Sequence, residues 1–355
     1  MAKTYGSIDA AIGLPPNREM FSLGLLGGTH SFDPLVLLLT ALGVEALVGG
    51  FAALYRFIPH PERATVRFIE SLEVRLNREK RSPMDRAIRG LCVAILMLGI
   101  ALGIGTAIAW LSQNHDFGWI IEFILLVTLI DQRGLYGRMG SVAQAVGGGD
   151  MEAARDALQP MINRDTALMD GHGVARTTIE IGGEGFGAHV VAPVFWYVLF
   201  GFPGLAVCRT LSVMDRVIGH PTPRYRAFGM VAARLNDAVQ LIPSCLAGIF
   251  LVLAALFAPT AHPGRALRVM MRDSSKHPSL GAGWPIAAMA GALDLALAGP
   301  RRYAEKALGD PWIGSGTARA EGSDIRRTQY LFAVGCLINA MIVAALVIVR
   351  LNIAS

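Results

Sequence analysis

Long apolar segments alternate with polar ones along this 355-residue chain. Three of them are predicted to cross a membrane. Segment 34–58 contains Glu45 and Arg56, whereas 91–111 and 330–349 contain no charged residue. A membrane-spanning helix needs about 20 mostly apolar residues. The pattern therefore predicts a membrane protein built from helices.

Three further apolar segments are shorter or interrupted. Segment 117–130 contains Glu122, segment 190–207 is broken by Gly-Phe-Pro-Gly at 201–204, and segment 239–259 contains Pro243. Each is predicted to be a full span, a tilted span or a re-entrant hairpin. Irregular backbone at membrane depth requires surrounding protein or a wet cavity.

Composition agrees with this pattern, since 53% of the residues are hydrophobic and only 17% are charged. Soluble domains have about 25% charged residues. The predicted fold class is all-α: a polytopic integral membrane protein with cytoplasmic helical loops and re-entrant segments. Residues 1–33 form an N-terminal segment without the features of a cleavable signal peptide, and 34–355 form a single membrane domain.

The distribution of charge predicts the orientation. Segment 56–89 has nine Arg and Lys residues against five Asp and Glu, whereas the link 112–118 has one acid and no Arg or Lys. Cytoplasmic loops carry the excess of positive charge, so 56–89 and 131–184 are expected in the cytoplasm of a bacterial inner-membrane protein. This location of the net charge of +5 indicates a lipid bilayer rather than nucleic acid as a partner.

Segment 131–184 is the first stretch of the chain that is predicted to form a soluble part of appreciable size. Asp150 is predicted to cap a helix that continues to Leu158, and 174–181 is predicted to form a second helix. The glycine-rich stretch 182–187 is predicted to interrupt that helix as a flexible or closely packed turn. It lacks the GxxxxGK[ST] pattern of a P-loop.

Two acidic residues near the end of this segment suggest cation binding. Glu180 and Glu184 are spaced i, i+4, which places both carboxylates on one face if the helix continues. Because the two repel each other, they favour magnesium, an arginine or a lysine between them. A structural role at that helix face is the alternative.

The order of polar motifs resembles the CobD/CbiB family of cobalamin biosynthesis, over about residues 34–300. The motifs that carry the resemblance are His60-Pro61, the helix start at Asp150, Arg164-Asp165-Thr166, Glu180 with Glu184, Ala192-Pro193, Asp215 with Gly219, Arg224-Tyr225, Phe228-Gly229, Arg234, Asp237, Pro243, His277-Pro278-Ser279 and Gly283-Trp284-Pro285.

The resemblance implies an integral membrane enzyme that joins aminopropanol phosphate to the corrinoid adenosylcobyric acid through an amide bond, using ATP. Such chemistry needs magnesium held by carboxylates and a phosphate clamp. At the matched positions the expected magnesium ligands are Glu180, Glu184 and Asp237. These three and His277 are the expected catalytic residues. The expected substrate-binding residues are Arg164, Asp165, Asp215, Arg224, Arg234, Lys276 and Ser279.

The sequence also departs from the family pattern. Gly185 and Ala188 replace an Asn and an Asp, Cys245 replaces an Arg, and Gly281 and Ile286 replace an Asn and a Glu. Three hypotheses therefore compete: a working or divergent ligase, a catalytically degenerate paralogue that acts with other membrane proteins as a subunit or regulator, and a related membrane enzyme with another substrate.

Overall fold

The structure is a computed structural model that describes residues 32–51, 55, 60–162, 165–220, 222–302, 307–308 and 311–354. Helices dominate this part of the chain. They are α1 Pro34–Val48, α2 Pro61–Leu76, α3 Pro83–Asn114, α4 Gly118–Leu129, α5 Gln132–Gly147, α6 Met151–Leu158, α7 Gly171–Gly185, α8 Ala192–Ile218, α9 Met230–Ala254, α10 Pro263–Asp273, α11 Gly283–Leu293 and α12 Gly322–Ala354.

Shorter elements join or extend these helices. A π-helical turn, Phe186–Val191, connects α7 to α8, and 3₁₀ turns lie at Gln159–Met161, Ala255–Phe257 and Ser274–Lys276. Two small antiparallel pairs precede α12: β1 Leu297–Ala298 with β4 Trp312–Ile313, and β2 Arg301–Arg302 with β3 Ala307–Leu308. The all-α, membrane-type fold class is confirmed.

Several helix starts follow directly from the local sequence. Asp33 caps α1 and Ser82 caps α3, each just before a proline at the first helical position. Proline suits this position because its missing N–H has no helical partner there. Asp150 caps α6 as predicted, since its side chain accepts a hydrogen bond of 3.0 Å from the N–H of Ala153.

Among the described residues, four helical stretches are long and apolar enough to span a membrane: Pro83–Asn114, Gly171–Ile218, Met230–Phe257 and Gly322–Ile353. The first and last contain the predicted segments 91–111 and 330–349. The predicted span 34–58 is not one continuous helix, because α1 ends at Val48; residues 52–54 and 56–58 of this span lie outside the described residues. The 15 residues of α1 cover about 22 Å, and the 12 residues of α4 cover about 18 Å. Neither helix alone crosses a hydrocarbon core of about 30 Å.

The stretch Gly171–Ile218 is a helical hairpin rather than one straight helix. Gly201 has φ 64° and ψ −156°, which is not a helical conformation. An Arg209 nitrogen lies 2.8 Å from Nδ1 of His189, although twenty residues of continuous helix would separate them by about 30 Å. The chain therefore reverses at 201–204, which corresponds to the hairpin alternative for segment 190–207.

The glycine-rich stretch 182–187 does not interrupt the helix, contrary to the prediction. It is closely packed: a Cβ on Gly182 would lie 2.7 Å from Met139 Sδ, and one on Gly185 would lie 2.4 Å from Leu135 Cδ2. The absence of side chains here allows α7 to approach α5 and remain helical.

Pro193 explains a contact at the π-helical turn. A proline has no N–H to donate to the carbonyl four residues earlier, which here is that of His189. The N–H of Asp131, between α4 and α5, donates to the His189 carbonyl instead at 3.3 Å. One interhelical hydrogen bond thus compensates for the missing helical one.

Buried Glu45 has a comparable role at the end of α1. Its carboxylate accepts hydrogen bonds from the N–H groups of Gln132, at 3.1 Å, and Arg133, at 3.0 Å. These N–H groups begin α5 and lack partners within that helix. Phe32 stacks on Trp119 with ring centroids 5.2 Å apart, so α1 and α4 lie side by side in the same direction.

Three apolar cores hold the helices together. The largest is formed by residues of α5–α7 and α9–α12. A second joins α1, α4, α8 and α12, and a third joins α2, α3, α8 and α9. Helices α8, α9 and α12 each contribute to two of these cores.

Candidate functional site

A chain of hydrogen bonds joins the polar side chains of α8 and α9. Asn236 donates to the Asp215 carboxylate at 2.9 Å, and Gln240 donates to the Ser212 hydroxyl at 3.0 Å. The Ser212 hydroxyl lies 3.4 Å from the Asn236 side-chain oxygen and 3.1 Å from the Cys208 carbonyl, so both acceptors are within reach of its single hydrogen. Apolar helices do not need such a network to pack, and polar groups at membrane depth are a functional-site signal.

The loop after α10 lies beside these hydrogen bonds, because it contacts Asp237, the residue that follows Asn236 on α9. The Ser279 hydroxyl donates to Asp237 at 3.4 Å, and the Ser279 N–H donates to Nδ1 of His277 at 3.1 Å. Three predicted site residues, Asp237, His277 and Ser279, are therefore brought together. With Ser212, Asp215, Asn236 and Gln240 they form what we call the α8–α9 polar network.

Helix α7 approaches the same place. A Cβ on Gly187 would lie 3.4 Å from the Ser244 hydroxyl, and one on Gly281 would lie 3.1 Å from that same oxygen. Glu184 is exposed and lies one turn before Gly187. The π-helical turn that follows Glu184 thus packs against α9, next to the place where the 277–282 loop contacts the same helix.

Glu180 has a different environment from Glu184. It is 7% exposed, and its carboxylate accepts a hydrogen bond of 2.8 Å from the N–H of Ala298. This bond fixes β1 against α7.

Among the described residues, no group of three or more His, Cys, Asp or Glu is arranged to hold a metal ion. The predicted magnesium set of Glu180, Glu184 and Asp237 is therefore not assembled, because Glu180 faces β1 whereas Asp237 faces Ser279.

Lys276 takes part in an ion-pair cluster. Its ammonium lies 2.8 Å from Asp273, which is fully buried and also accepts two hydrogen bonds from Arg272 and one from the N–H of Gly314. The Arg272 hydrogen bonds, followed by those of Lys276 and Gly314, outweigh burial and hold the pKa of Asp273 well below its usual range. The Lys276 ammonium also donates to the carbonyl of Trp312 at 3.4 Å. Lys276 therefore connects the end of α10 to β4 in this structure.

Arg224 supports the loop between α8 and α9. Its Nε and Nη2 atoms donate to the two carboxylate oxygens of buried Glu73 on α2, at 3.0 and 2.9 Å. Burial opposes ionisation of Glu73, but hydrogen bonds from Arg224 and Asn77 lower its pKa. The predicted substrate-binding role of Arg224 has no support from this position, which is that of a structural ion pair.

The remaining predicted residues lie apart or outside the described chain. Arg234 is exposed on α9, three residues before Asp237 and so near it on the helix surface. Asp165 is exposed in the turn before α7, where its carboxylate accepts a 2.8 Å hydrogen bond from the N–H of Ala167. Arg164 lies outside the described residues.

A second polar group was not predicted from the sequence. Glu62 on α2 forms ion pairs with Arg209, at 3.5 Å, and with Arg216, while Arg209 also contacts His189. Burial opposes ionisation, but Arg209 and Arg216 lower the pKa of Glu62 to about 2. The available signal was Arg209 itself, the sole charged residue in 202–214.

Comparison with known proteins identifies the family of this chain. Residues 38–332 match the family model described as CobD/Cbib protein. A cobalamin biosynthesis protein CobD from Rhodobacter capsulatus is 36% identical over 297 residues, which cover 83% of this chain and 92% of that protein. One from Sinorhizobium sp is 35% identical over 318 residues, covering 89% and 98%.

A third relative of the same name, from Brucella suis, is 33% identical over 315 residues, which cover 88% of this chain and 96% of the relative. No solved structure matches the chain. The family model and these relatives cover most of the sequence, including α1 through the first turns of α12. The chain belongs to the CobD/CbiB family.

Proposed function

We propose that this protein condenses adenosylcobyric acid with aminopropanol phosphate by ATP-dependent amide formation. The observation that carries the proposal is the Ser279–Asp237 hydrogen bond beside the Asn236–Asp215 bond. It joins three family motif segments, from α8, α9 and the 277–282 loop, within one polar network. Membership in a cobalamin-biosynthesis family gives the substrate class.

The reaction requires activation of a carboxylate. A corrinoid carboxylate oxygen attacks the terminal phosphate of ATP, giving an acyl phosphate and ADP. The amine of aminopropanol phosphate then displaces phosphate and forms the amide after losing a proton. Exposed Arg234 is suited to hold a phosphate group. The Nδ1 atom of His277 accepts the N–H of Ser279, so Nε2 carries the ring hydrogen and is suited to donate it to a phosphate oxygen.

Magnesium is the cofactor that ATP chemistry implies. It usually binds one or two carboxylates together with substrate phosphates rather than a complete protein cage. Asp215 and Asp237 meet this requirement, because both belong to the α8–α9 polar network. When bound there, magnesium would neutralise charge on the transferring phosphate.

We further propose that the protein lies in the bacterial cytoplasmic membrane with this network open to the cytoplasm. ATP and both substrates would then reach it from that side. The excess of Arg and Lys in 56–89 supports this orientation. The lipid bilayer is the surrounding partner that the four long apolar stretches require.

A catalytically degenerate paralogue is the second candidate, and the packing at two departures favours it. Ile286 is 1% exposed, so a glutamate there would be buried. Gly185 lies against Leu135, which leaves little room for an asparagine. Such a protein would act as a subunit or regulator of a membrane complex.

Complementation separates the two candidates. The gene is expressed in a strain that lacks its own ligase of this type, with membrane content checked by immunoblot. The purified protein is assayed for ATP consumption with each substrate alone and with both. Turnover that requires both substrates supports the ligase, and Asp237→Asn should then lower its rate at least about 10²-fold.

A matched control is Glu152→Gln, which neutralises an exposed acid on α6 and should leave the rate unchanged. The departures from the family pattern lead us to expect weak complementation. Absence of both growth and turnover at normal membrane levels would refute the ligase proposal and favour the paralogue.

A further inference from the structure

Arg209 is a buried cation in the descending arm of the 171–218 hairpin. It is 6% exposed and connects three elements. Its Nη1 contacts His189 Nδ1 at 2.8 Å on the π-helical turn, and its Nη2 lies 3.5 Å from Glu62 on α2. A buried guanidinium in an apolar stretch requires partners for all of its donors.

The N–H donors on one edge of this guanidinium, formed by Nε and Nη2, are not all hydrogen-bonded among the described residues. Its Nε is buried and has no hydrogen-bond partner among the described residues, and its Nη2 lies at the outer limit of hydrogen-bond distance from Glu62. Two other arginines show what this edge normally does. Arg224 places Nε and Nη2 on Glu73 at 3.0 and 2.9 Å, and Arg272 places them on Asp273 at 2.8 and 2.7 Å.

The charges around Arg209 favour an anion at that edge. Arg209 and Arg216 share the single carboxylate of Glu62, which leaves one positive charge in excess within this group. Asp131 is paired with Arg138 at 2.6 Å. Nη1 donates to the His189 ring nitrogen, so His189 is neutral in this arrangement and adds no charge. His60, the N-cap of α2, has its pKa lowered by burial.

The local backbone holds His189 in this contact. The π-helical turn Phe186–Val191 lies directly between Glu184 and Pro193, and such turns are frequent at functional sites. The His189 carbonyl is also fixed by the N–H of Asp131. Arg209 is thus positioned from both arms of the hairpin.

We propose that the Nε–Nη2 edge of Arg209 binds an oxyanion, a phosphate or a carboxylate group, at a subsite next to the α8–α9 polar network. Ser212, which belongs to that network, lies one turn after Arg209 on the same helix. A guanidinium edge with two parallel N–H groups matches the paired oxygens of both oxyanions.

The subsite deepens the proposed function, since both substrates and ATP carry such groups, but its test requires no turnover. The purified full-length protein is titrated with inorganic phosphate, and separately with acetate, against chloride at constant ionic strength. The shift in thermal unfolding midpoint gives the half-saturating concentration of each anion. Comparison of the two titrations identifies the preferred group.

Arg209→Lys keeps the charge but removes the two-donor edge. We expect it to raise the half-saturating concentration of the preferred anion at least about tenfold. The matched control is Arg319→Lys, at an exposed position, which should leave the titration unchanged. No stabilisation of the wild-type protein by either anion, or equal stabilisation of Arg209→Lys, would overturn the proposal.

Glu62→Gln provides a second test, in which anion binding should become tighter rather than weaker. It does not depend on whether Arg209→Lys folds. It removes the carboxylate that competes for the guanidinium, so the half-saturating concentration should fall at least about threefold. A purely structural Glu62–Arg209 pair predicts a less stable protein with unchanged or weaker anion binding, and that outcome would also overturn the proposal. Failure of ligase activity with intact anion binding would refute the proposed function but leave the subsite standing.

Discussion

His189 and Arg209 are separated by twenty residues of sequence, yet their side chains are 2.8 Å apart. This contact is possible because the chain reverses at Gly201. The backbone of Gly201, with φ 64° and ψ −156°, occupies a region that is essentially restricted to glycine. The position of buried Arg209 therefore depends on one glycine.

Gly201→Ala should destabilise the hairpin by about 1–3 kcal/mol, the usual magnitude of such backbone strain. The measurement is the thermal unfolding midpoint of the purified protein in detergent. Gly99→Ala is the matched control, because nothing lies within 4 Å of its Cβ position and alanine favours a helix. Equal midpoints for the two variants would contradict the assigned turn.

The Glu62 ion pairs predict a pH dependence of stability. The pKa of Glu62 is lowered from 4.5 to about 2, so its contribution is fully present above pH 4.5. That contribution is lost as the pH falls through the interval from 4.5 towards 2. Unfolding midpoints of wild type and Glu62→Gln should differ most at pH 6 and converge at acidic pH. A difference that grows on acidification would show that the ion pairs are absent.

Arg224 should matter for stability rather than for substrate binding. Arg224→Gln removes the two hydrogen bonds to Glu73, but Asn77 still donates to that carboxylate at 2.8 Å. Because the Arg224 side chain is 48% exposed, we expect a loss of only about 1 kcal/mol. The unfolding midpoint and the Michaelis constants for ATP and both substrates are measured for wild type and Arg224→Gln. Unchanged stability with a raised constant would instead support a binding role.

The apolar pattern predicted some parts of the fold better than others. The uncharged runs 91–111 and 330–349 lie within long helices as expected. The end of α1 was missed because hydropathy does not reveal that Gly49, with φ 81°, interrupts an apolar run. Segment 190–207 allowed a hairpin, but the backbone of Gly201 and the His189–Arg209 contact were needed to distinguish it from a span.

The motifs selected several residues of the candidate site but could not predict all of their contacts. Asp237, His277 and Ser279 were selected from motifs, and the structure brings them together. Glu180 was expected to share a cation with Glu184, yet it binds the backbone of Ala298. That partner follows α7 by more than a hundred residues, so periodicity within one helix carries no information about it. The same holds for the contact between Arg209 and Glu62.

Packing at Gly185 limits any attempt to restore the family residue. An added Cβ would lie 2.4 Å from Leu135 Cδ2, the far end of a side chain that can move. Gly185→Asn alone should therefore lower the unfolding midpoint, and the Gly185→Asn/Leu135→Ala double variant should be less destabilised than the sum of the two single variants. Leu135→Ala alone is the control and should destabilise by about 2–5 kcal/mol through its cavity. Strictly additive effects would show that the two side chains do not compete for space.

The orientation of α3 makes the topology testable. This helix has 32 residues, about 48 Å in length, so its two flanking loops lie on opposite sides of the bilayer. Exposed Lys80 precedes it and exposed His115 follows it. The positive charge around Lys80 predicts that this side is cytoplasmic.

Lys80→Cys and His115→Cys are each introduced after replacement of the four native cysteines, and intact cells are treated with a membrane-impermeant maleimide. We expect labelling at 115 in intact cells and at 80 only after permeabilisation. Labelling at 80 in intact cells would reverse the topology and place the proposed ATP site on the side of the membrane that lacks ATP.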